Sequence, residues 1–225
     1  MKHINIAVDG PSGAGKSSLA KNIAKKLGII YVDTGALYRS IGLYSKNHGV
    51  SLDNIEKTRD LLSDITLDLV YEDDVQKVIL NGEDVSGLIR TPEISMYASA
   101  VSAIPEIRAF LLGTQQNIAK ERSVVMDGRD IATVVLPDAD VKIFLTANSE
   151  KRAERRYDEL RLKNPGITLN EVYDDMVLRD KNDSTRAIAP AIKADDAILL
   201  DNTDFTEEET LAHALEIIRK RVEIN

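Results

Sequence analysis

Gly10-Pro11-Ser12-Gly13-Ala14-Gly15-Lys16-Ser17 satisfies G-x-x-x-x-G-K-[ST] at every fixed position. The spacing suits polyphosphate. Glycines let successive backbone N–H groups turn inward around phosphate oxygens, and a helix opening at Lys16-Ser17 adds its positive end. Lys16 would reach the β- and γ-phosphates, and the Ser17 hydroxyl would face Mg²⁺. The expected triphosphate contacts are therefore Gly10, Pro11, Ser12, Gly13, Ala14, Gly15, Lys16, Ser17 and Ser18. A plain glycine-rich turn is the alternative, and an apolar run before the motif with a helical pattern after it favours the phosphate site. The motif alone fits kinases, GTP switches and ATP-driven motors. No Asn-Lys pair supplies the guanine-reading N-K-x-D, and Asp84-Val85-Ser86-Gly87 spells D-x-x-G only on a hairpin. A motor would need more chain than 225 residues, so a small metabolite or nucleotide kinase is favoured.

Four further segments carry charge where a strand or helix ends. Asp33-Thr34-Gly35-Ala36-Leu37-Tyr38-Arg39 follows one apolar run, as either a helix cap with an exposed arginine or a ligand edge. Asp127-Gly128-Arg129-Asp130 follows another, and Asp127 stands where a Walker-B carboxylate holds Mg²⁺ through water. In Lys151-Arg152-Ala153-Glu154-Arg155-Arg156, the three arginines fall at i, i+3 and i+4 on one helix face. They are either a solvated basic face or a lid that clamps a moving phosphoryl group. Arg179-Asp180-Lys181-Asn182-Asp183-Ser184-Thr185-Arg186 reads as a polar, turn-prone loop.

The elements that must position these groups alternate. Ile4–Val8, Ile29–Val32, Val124–Met126, Val141–Leu145 and Ala197–Leu200 read as buried parallel strands. Leu19, Ile23 and Leu27 recur every four residues, and Gly28 stops that helix; a last helix spans about Glu207 to Val222. This is an α/β sheet with right-handed crossovers. Between about Ser40 and Gln115 the rhythm breaks into a helix, a strand at Ile65–Val70 and a hairpin turning at Asn81-Gly82, which reads as an insertion.

Composition sets the outer limits. With 43% hydrophobic and 29% charged residues the chain is globular, and with only 4% aromatics its core must be aliphatic. A net charge of −8 argues against nucleic-acid or anionic-membrane binding as the main task. Zero cysteines exclude disulfides, thiolate metal sites and a cysteine nucleophile, which suits a cytoplasmic setting. No apolar stretch approaches the roughly 20 residues that span a bilayer. His3, His48 and His213 lie outside every motif.

Taken in order, G-P-S-G-A-G-K, D-T-G-A-L-Y-R, E-D-V-S-G-L-I-R-T, D-G-R-D, R-A-E-R-R and R-A-I-A-P resemble the bacterial cytidylate kinases, within the nucleoside monophosphate kinase group. The resemblance runs from Ile6 to about Leu200. It implies a P-loop kinase fold: a five-stranded parallel sheet flanked by helices, formed by residues 1–39 and 115–225. A monophosphate-binding insert would occupy 40–114 and a short helical lid 150–166. The implied reaction is ATP + CMP (or dCMP) → ADP + CDP (or dCDP) with Mg²⁺, carried out by a monomer. By the same analogy Arg39, Arg129 and Arg186 hold the acceptor phosphate, with Thr34 where serine is common. Ser99, Arg108 and Asp130 read cytosine, and Arg179 and Asp183 lie near the sugar. Lys16, Arg129, Arg152, Arg155 and Arg156 would stabilise the phosphoryl in flight, and Ser17 and Asp127 (through water) would hold the metal. A kinase for UMP or another small phosphate acceptor, and a non-catalytic ATP-dependent switch, remain as alternatives.

Overall fold

Strand formation follows from the apolar runs. In the computed structural model, which describes residues 3–72, 75–162 and 164–222, five runs become β1 (Asn5–Asp9), β2 (Ile30–Asp33), β6 (Val124–Gly128), β7 (Val141–Thr146) and β8 (Ile198–Asp201). The expected core ends at 1–2 and 223–225, and position 163 of the expected lid, lie outside the described residues. The five strands form one parallel sheet in the order β2-β6-β1-β7-β8. Ile6, Ala7 and Val8 of β1 and Val124, Val125 and Met126 of β6 are fully buried, because both sheet faces are covered. Register sets Asp33 beside Asp127, and Asp9 beside Gly128. Three aspartates thus leave the sheet together at its carboxyl edge, where open α/β sheets bind ligands.

Helix α1 (Lys16–Leu27) packs Leu19 and Ile23 against one face of the sheet, together with Ala214, Leu215 and Ile218 of α7 (Glu207–Arg221). Gly28 closes α1 at φ 65°, a left-handed cap that suits glycine. Thr206 and Glu209 form a capping box at the start of α7.

The segment between β2 and β6 has its own hydrophobic cluster. Helix α2 (Thr34–Asn47) leads into 3₁₀ turns over Leu52–Asp64, then β3 (Leu67–Glu72), β4 (Val75–Leu80) and β5 (Glu83–Asp84), an antiparallel sheet. Asn81 and Gly82 have φ of 49° and 86°, the two positive values that a tight hairpin turn needs. Helices α3 (Pro92–Val101) and α4 (Pro105–Glu121) complete the region. Leu37, Ile41, Val78, Ile89, Ile104 and Leu111 pack together beneath it. Helices α2 and α4 run continuously across residues 39–40 and 114–115, so the insert is joined to the sheet by helices.

Helix α5 (Ser149–Arg161) lies against α6 (Leu169–Thr185), with Ala153, Val172 and Met176 between them. Here the structure corrects the sequence reading. Residues 179–185, expected as a loop, are the last turns of α6. A capping box at Thr168 and Glu171 starts the helix and Arg179–Asp183 pair at i, i+4, so polar residues continue it. No described helix is long and apolar enough to cross a membrane.

Candidate active site

The phosphate loop joins β1 to α1, the placement its motif requires. Gly10 is obligatory, since a Cβ there would lie 1.9 Å from the Leu145 carbonyl oxygen. Gly13 and Gly15 have φ of 71° and 88°, which turn the backbone into a cradle. Lys16 Nζ donates to the Pro11 carbonyl at 2.6 Å, across the loop. Burial pushes the Lys16 ammonium well below the usual lysine range, and the nearby Arg129 charge pushes it further. Ser18 is exposed on the first turn of α1.

Oxygen donors for a cation gather beside Lys16. Ser17 Oγ donates to Asp127 Oδ2 at 2.8 Å and Tyr31 OH to Oδ1 at 2.9 Å. Asp127 is buried, and burial with the neighbouring Asp33 raises its carboxyl above the ordinary range. That is a hard-oxygen site short of positive charge, which fits Mg²⁺. Among the described residues no cluster of three His, Asp or Glu could enclose a metal alone. The cation would share its coordination with phosphate oxygens and water, as Mg²⁺ usually does.

Across the cleft three buried aspartates each hold two arginines. Asp33 pairs with Arg39 at 2.8 Å and Arg90 at 2.9 Å. Asp130 pairs with Arg108, and with Arg186 at 3.4 Å. Asp183 pairs with Arg129 at 2.9 Å and lies 3.9 Å from Arg179. Six guanidiniums against three carboxylates leave a local surplus of three positive charges on a chain that is acidic overall. Two of their donors, Arg39 Nε and Arg179 Nε, are buried without a hydrogen bond, the second only in ion-pair range of Asp183. Burial, then the Arg129 charge, lowers Arg179 to about 10. Orphaned buried donors in a cationic cluster fit an anion.

The carboxylates differ in their environments. Burial would raise Asp33, but the Arg39 and Arg90 guanidiniums hold it below the usual range. Burial also acts on Asp183, and Arg129 and Arg179 outweigh it. At Asp130 burial wins and its carboxyl rises despite Arg108 and Arg186. Ser99 Oγ donates to Asp183 Oδ1 at 2.7 Å, and Thr34 Oγ1 to the Asp127 carbonyl at 2.8 Å.

The three arginines of α5 part company despite sharing a face. Arg152 is buried, donating to the Ser12 carbonyl at 2.8 Å and the Ala147 carbonyl at 3.0 Å while pairing with Asp180. Arg155 donates to Asn202 Oδ1 at 3.1 Å and its carbonyl at 2.8 Å. Arg156 pairs with Glu159 and faces the cleft shared by Ser12, Met96 and Arg179. A second cleft, of about 420 Å³, opens between Arg155 of α5 and Thr203 and Phe205.

Four supporting residues are not among the expected site residues. Ser102 Oγ accepts from Arg186 Nη1 at 2.7 Å and its carbonyl from Arg108 Nη1 at 3.2 Å. Asp180 Oδ1 accepts from the Ser12 N–H at 2.8 Å, and Asn202 Nδ2 donates to the Ala14 carbonyl at 3.2 Å. Asp9 accepts from the Ile131 and Ala132 N–H groups at 2.9 and 2.7 Å, pinning the turn after Asp130. Asp9 directly precedes the phosphate-loop motif and Asp180 lies within the Arg179–Arg186 segment, which is the signal the sequence holds for them. His48 stacks on Tyr44, and His213 stacks on Phe205, which borders the second cleft.

A family model described as cytidylate kinase matches residues 6–220. A cytidylate kinase of Caldicellulosiruptor saccharolyticus is 49% identical over 220 residues, 98% of this chain and 97% of its own length. One from Fervidobacterium nodosum is 46% identical, covering 99% of both chains. Among solved structures, an uncharacterized protein from Eubacterium ventriosum matches 97% of this chain and 100% of its own, with a TM-score of 0.56 at 14% identity, a likeness of fold.

Proposed function

This chain belongs to the cytidylate kinase family, and from that premise we propose that it transfers the γ-phosphoryl group of ATP to CMP or dCMP. The observation that carries the reading is the second anion site. A complete phosphate loop faces a cluster of arginines with buried donors that make no hydrogen bond. A nucleotide switch has no use for that cluster; a phosphoryl acceptor does.

The attacking atom is an oxygen of the acceptor phosphate, already an anion, so no general base is needed. The protein's tasks are alignment and charge compensation. Arg39, Arg129 and Arg186 hold the acceptor phosphate with planar forks suited to it. Lys16, next to Arg129, spans the donor phosphates. Ser17 and, through water, Asp127 would hold Mg²⁺, which when bound would neutralise charge on the donor phosphates. Arg156 is the α5 arginine that faces the cleft; Arg152 and Arg155 tie α5 to the phosphate loop and to Asn202. Residues 150–166 act as a lid that keeps water from the phosphoryl group. The cleft at Thr203 and Phe205 takes the adenine.

Base choice falls to Asp130 and Arg108, with Ser99 nearby. A carboxylate accepts from cytosine N4 and an arginine donates to N3 or O2. Uracil offers O4 and N3–H instead and leaves both protein groups badly paired. Arg179 and Asp183 face the sugar. The protein acts as a monomer, as a site assembled within one chain allows, and a chain without cysteine suits the cytoplasm.

The test is ADP release from ATP and Mg²⁺ in the presence of CMP, dCMP, UMP, AMP or GMP in turn. Turnover with CMP and dCMP is expected to exceed all others. Turnover led by another monophosphate would discard the cytosine assignments, and binding of ATP with no transfer at all would favour a switch.

A further inference from the structure

Arg90 lies between β5 and α3, in the inserted region, and has no part in the site described above except its bond to Asp33. Five of the six arginines in the cluster are acceptor-side candidates; Arg90 is the sixth. Its side chain is 50% exposed, whereas that of Arg39 is 14% exposed. The geometry at Asp33 explains what it does there.

Asp33 Oδ1 accepts from the Ala36 N–H at 2.9 Å and from Arg39 Nη2 at 3.0 Å. Asp33 Oδ2 accepts from the same Arg39 nitrogen at 2.8 Å and from Arg90 Nη2 at 2.9 Å. A carboxylate offers about four lone-pair sites, and all are taken. Arg39 therefore meets Asp33 through one nitrogen only, and its buried Nε has no partner. A second contact fixes the insert to the same residue: the Asp33 N–H donates to Gln76 Oε1 of β4 at 2.9 Å.

We propose that Arg90 is a positioning residue for the acceptor phosphate: by occupying Asp33 Oδ2 it stops Arg39 from closing its fork on the carboxylate and keeps the Nε edge of Arg39 free for the incoming anion. The inserted region thereby sets the strength of a phosphate site that lies on α2. This inference rests on the proposed acceptor role of Arg39.

The experiment is steady-state kinetics of the intact protein with CMP and ATP varied separately, for the parent and for Arg90→Ala and Arg90→Lys. Losing the competing cation in Arg90→Ala should raise KM for CMP about tenfold, the effect of one charge-assisted hydrogen bond, while KM for ATP stays within about twofold. Arg90→Lys restores a cation beside Oδ2 and should recover most of that loss. An unchanged KM for CMP in Arg90→Ala would overturn the proposal. So would an equal loss for both substrates, or a lysine variant no better than alanine, since either marks a merely structural role. Failure of the parent itself to use CMP would instead strike the proposed function, so the two failures are told apart.

Discussion

The two halves of the cleft are organised by different physics. The proposed donor half is one contiguous segment, Gly10–Ser17, in which backbone N–H groups would face the phosphates. Its shape is set by Gly13 and Gly15 at positive φ and by the close approach of Gly10 to Leu145, so it exists before any ligand arrives. The acceptor half draws arginines from α2, the β5–α3 link, α4, the β6 edge and α6 with its end. Their anchors are mainly side chains, Asp33, Asp130 and Asp183, each shared by two guanidiniums, with the Ser102, Gly128 and Ala189 carbonyls accepting from Arg108, Arg129 and Arg186. A ligand entering the donor half meets a preformed cradle. One entering the acceptor half competes with carboxylates for arginines already engaged. Damage to the first should therefore appear in turnover, and damage to the second in acceptor affinity and selectivity.

The sharpest way to break that division is Lys16→Ala. Lys16 is buried and bonded within its own loop, so its removal leaves the sheet and core untouched. Removing one preorganised charge from a phosphoryl-transfer site should lower kcat on the order of a thousandfold. Circular dichroism and the melting transition should stay near those of the parent. Normal turnover by a folded Lys16→Ala protein would overturn the assignment of the loop as the donor site.

Asp130→Ala probes the opposite half. It leaves Arg108 and Arg186 without their shared carboxylate and removes the group assigned to cytosine N4. The expected loss in kcat/KM for CMP is about a hundredfold, with KM for ATP within about twofold, because unpaired buried polar groups discriminate strongly. Initial rates with CMP and UMP decide it: the CMP preference should shrink. Equal losses for the two bases would remove Asp130 from base reading and leave it as a support for arginines.

The same contrast explains what could be read from the chain. The phosphate loop was legible because its chemistry is written in consecutive residues, and the five strands because each is an apolar run flanked by helical spacing. The Asn81-Gly82 turn was legible for a similar reason, since few dipeptides tolerate two positive φ values. Arg39, Arg129 and Arg186 could be suspected where they follow strands or precede Ala-Pro, but their partners could not. That Arg108 meets Asp130, or that Ser102 orients Arg186, depends on packing between segments far apart in sequence. Residues 179–185 read as a loop in the sequence because their polar composition hides a helix held by Val172 and Met176 one to two turns earlier. Likewise, the i, i+3, i+4 spacing of Arg152, Arg155 and Arg156 gave their face, and only the fold separates the buried tie from the arginine at the cleft.

Asp9 joins the two halves, and its titration offers a smaller but direct test of the joint. It is the last residue of β1, immediately before Gly10, and its carboxylate holds the Ile131 and Ala132 N–H groups of the turn that follows Arg129-Asp130. Burial raises its pKa to about 6, with the two N–H bonds opposing, the Asp130 charge adding to the rise and Lys16 reducing it. The folded state thus binds a proton more readily than the unfolded chain, so this group's contribution to stability is present in acid and is lost as pH rises through about 6. Asp9→Asn keeps the size and removes the titration. Denaturant unfolding of parent and variant at about pH 5 and about pH 7.5 should show the parent gaining about 1 kcal/mol relative to the variant at the lower pH. Parallel behaviour at both values would mean that the joint holds an ordinary carboxylate. The acceptor turn would then be fixed to the donor loop without the electrostatic strain that its burial implies.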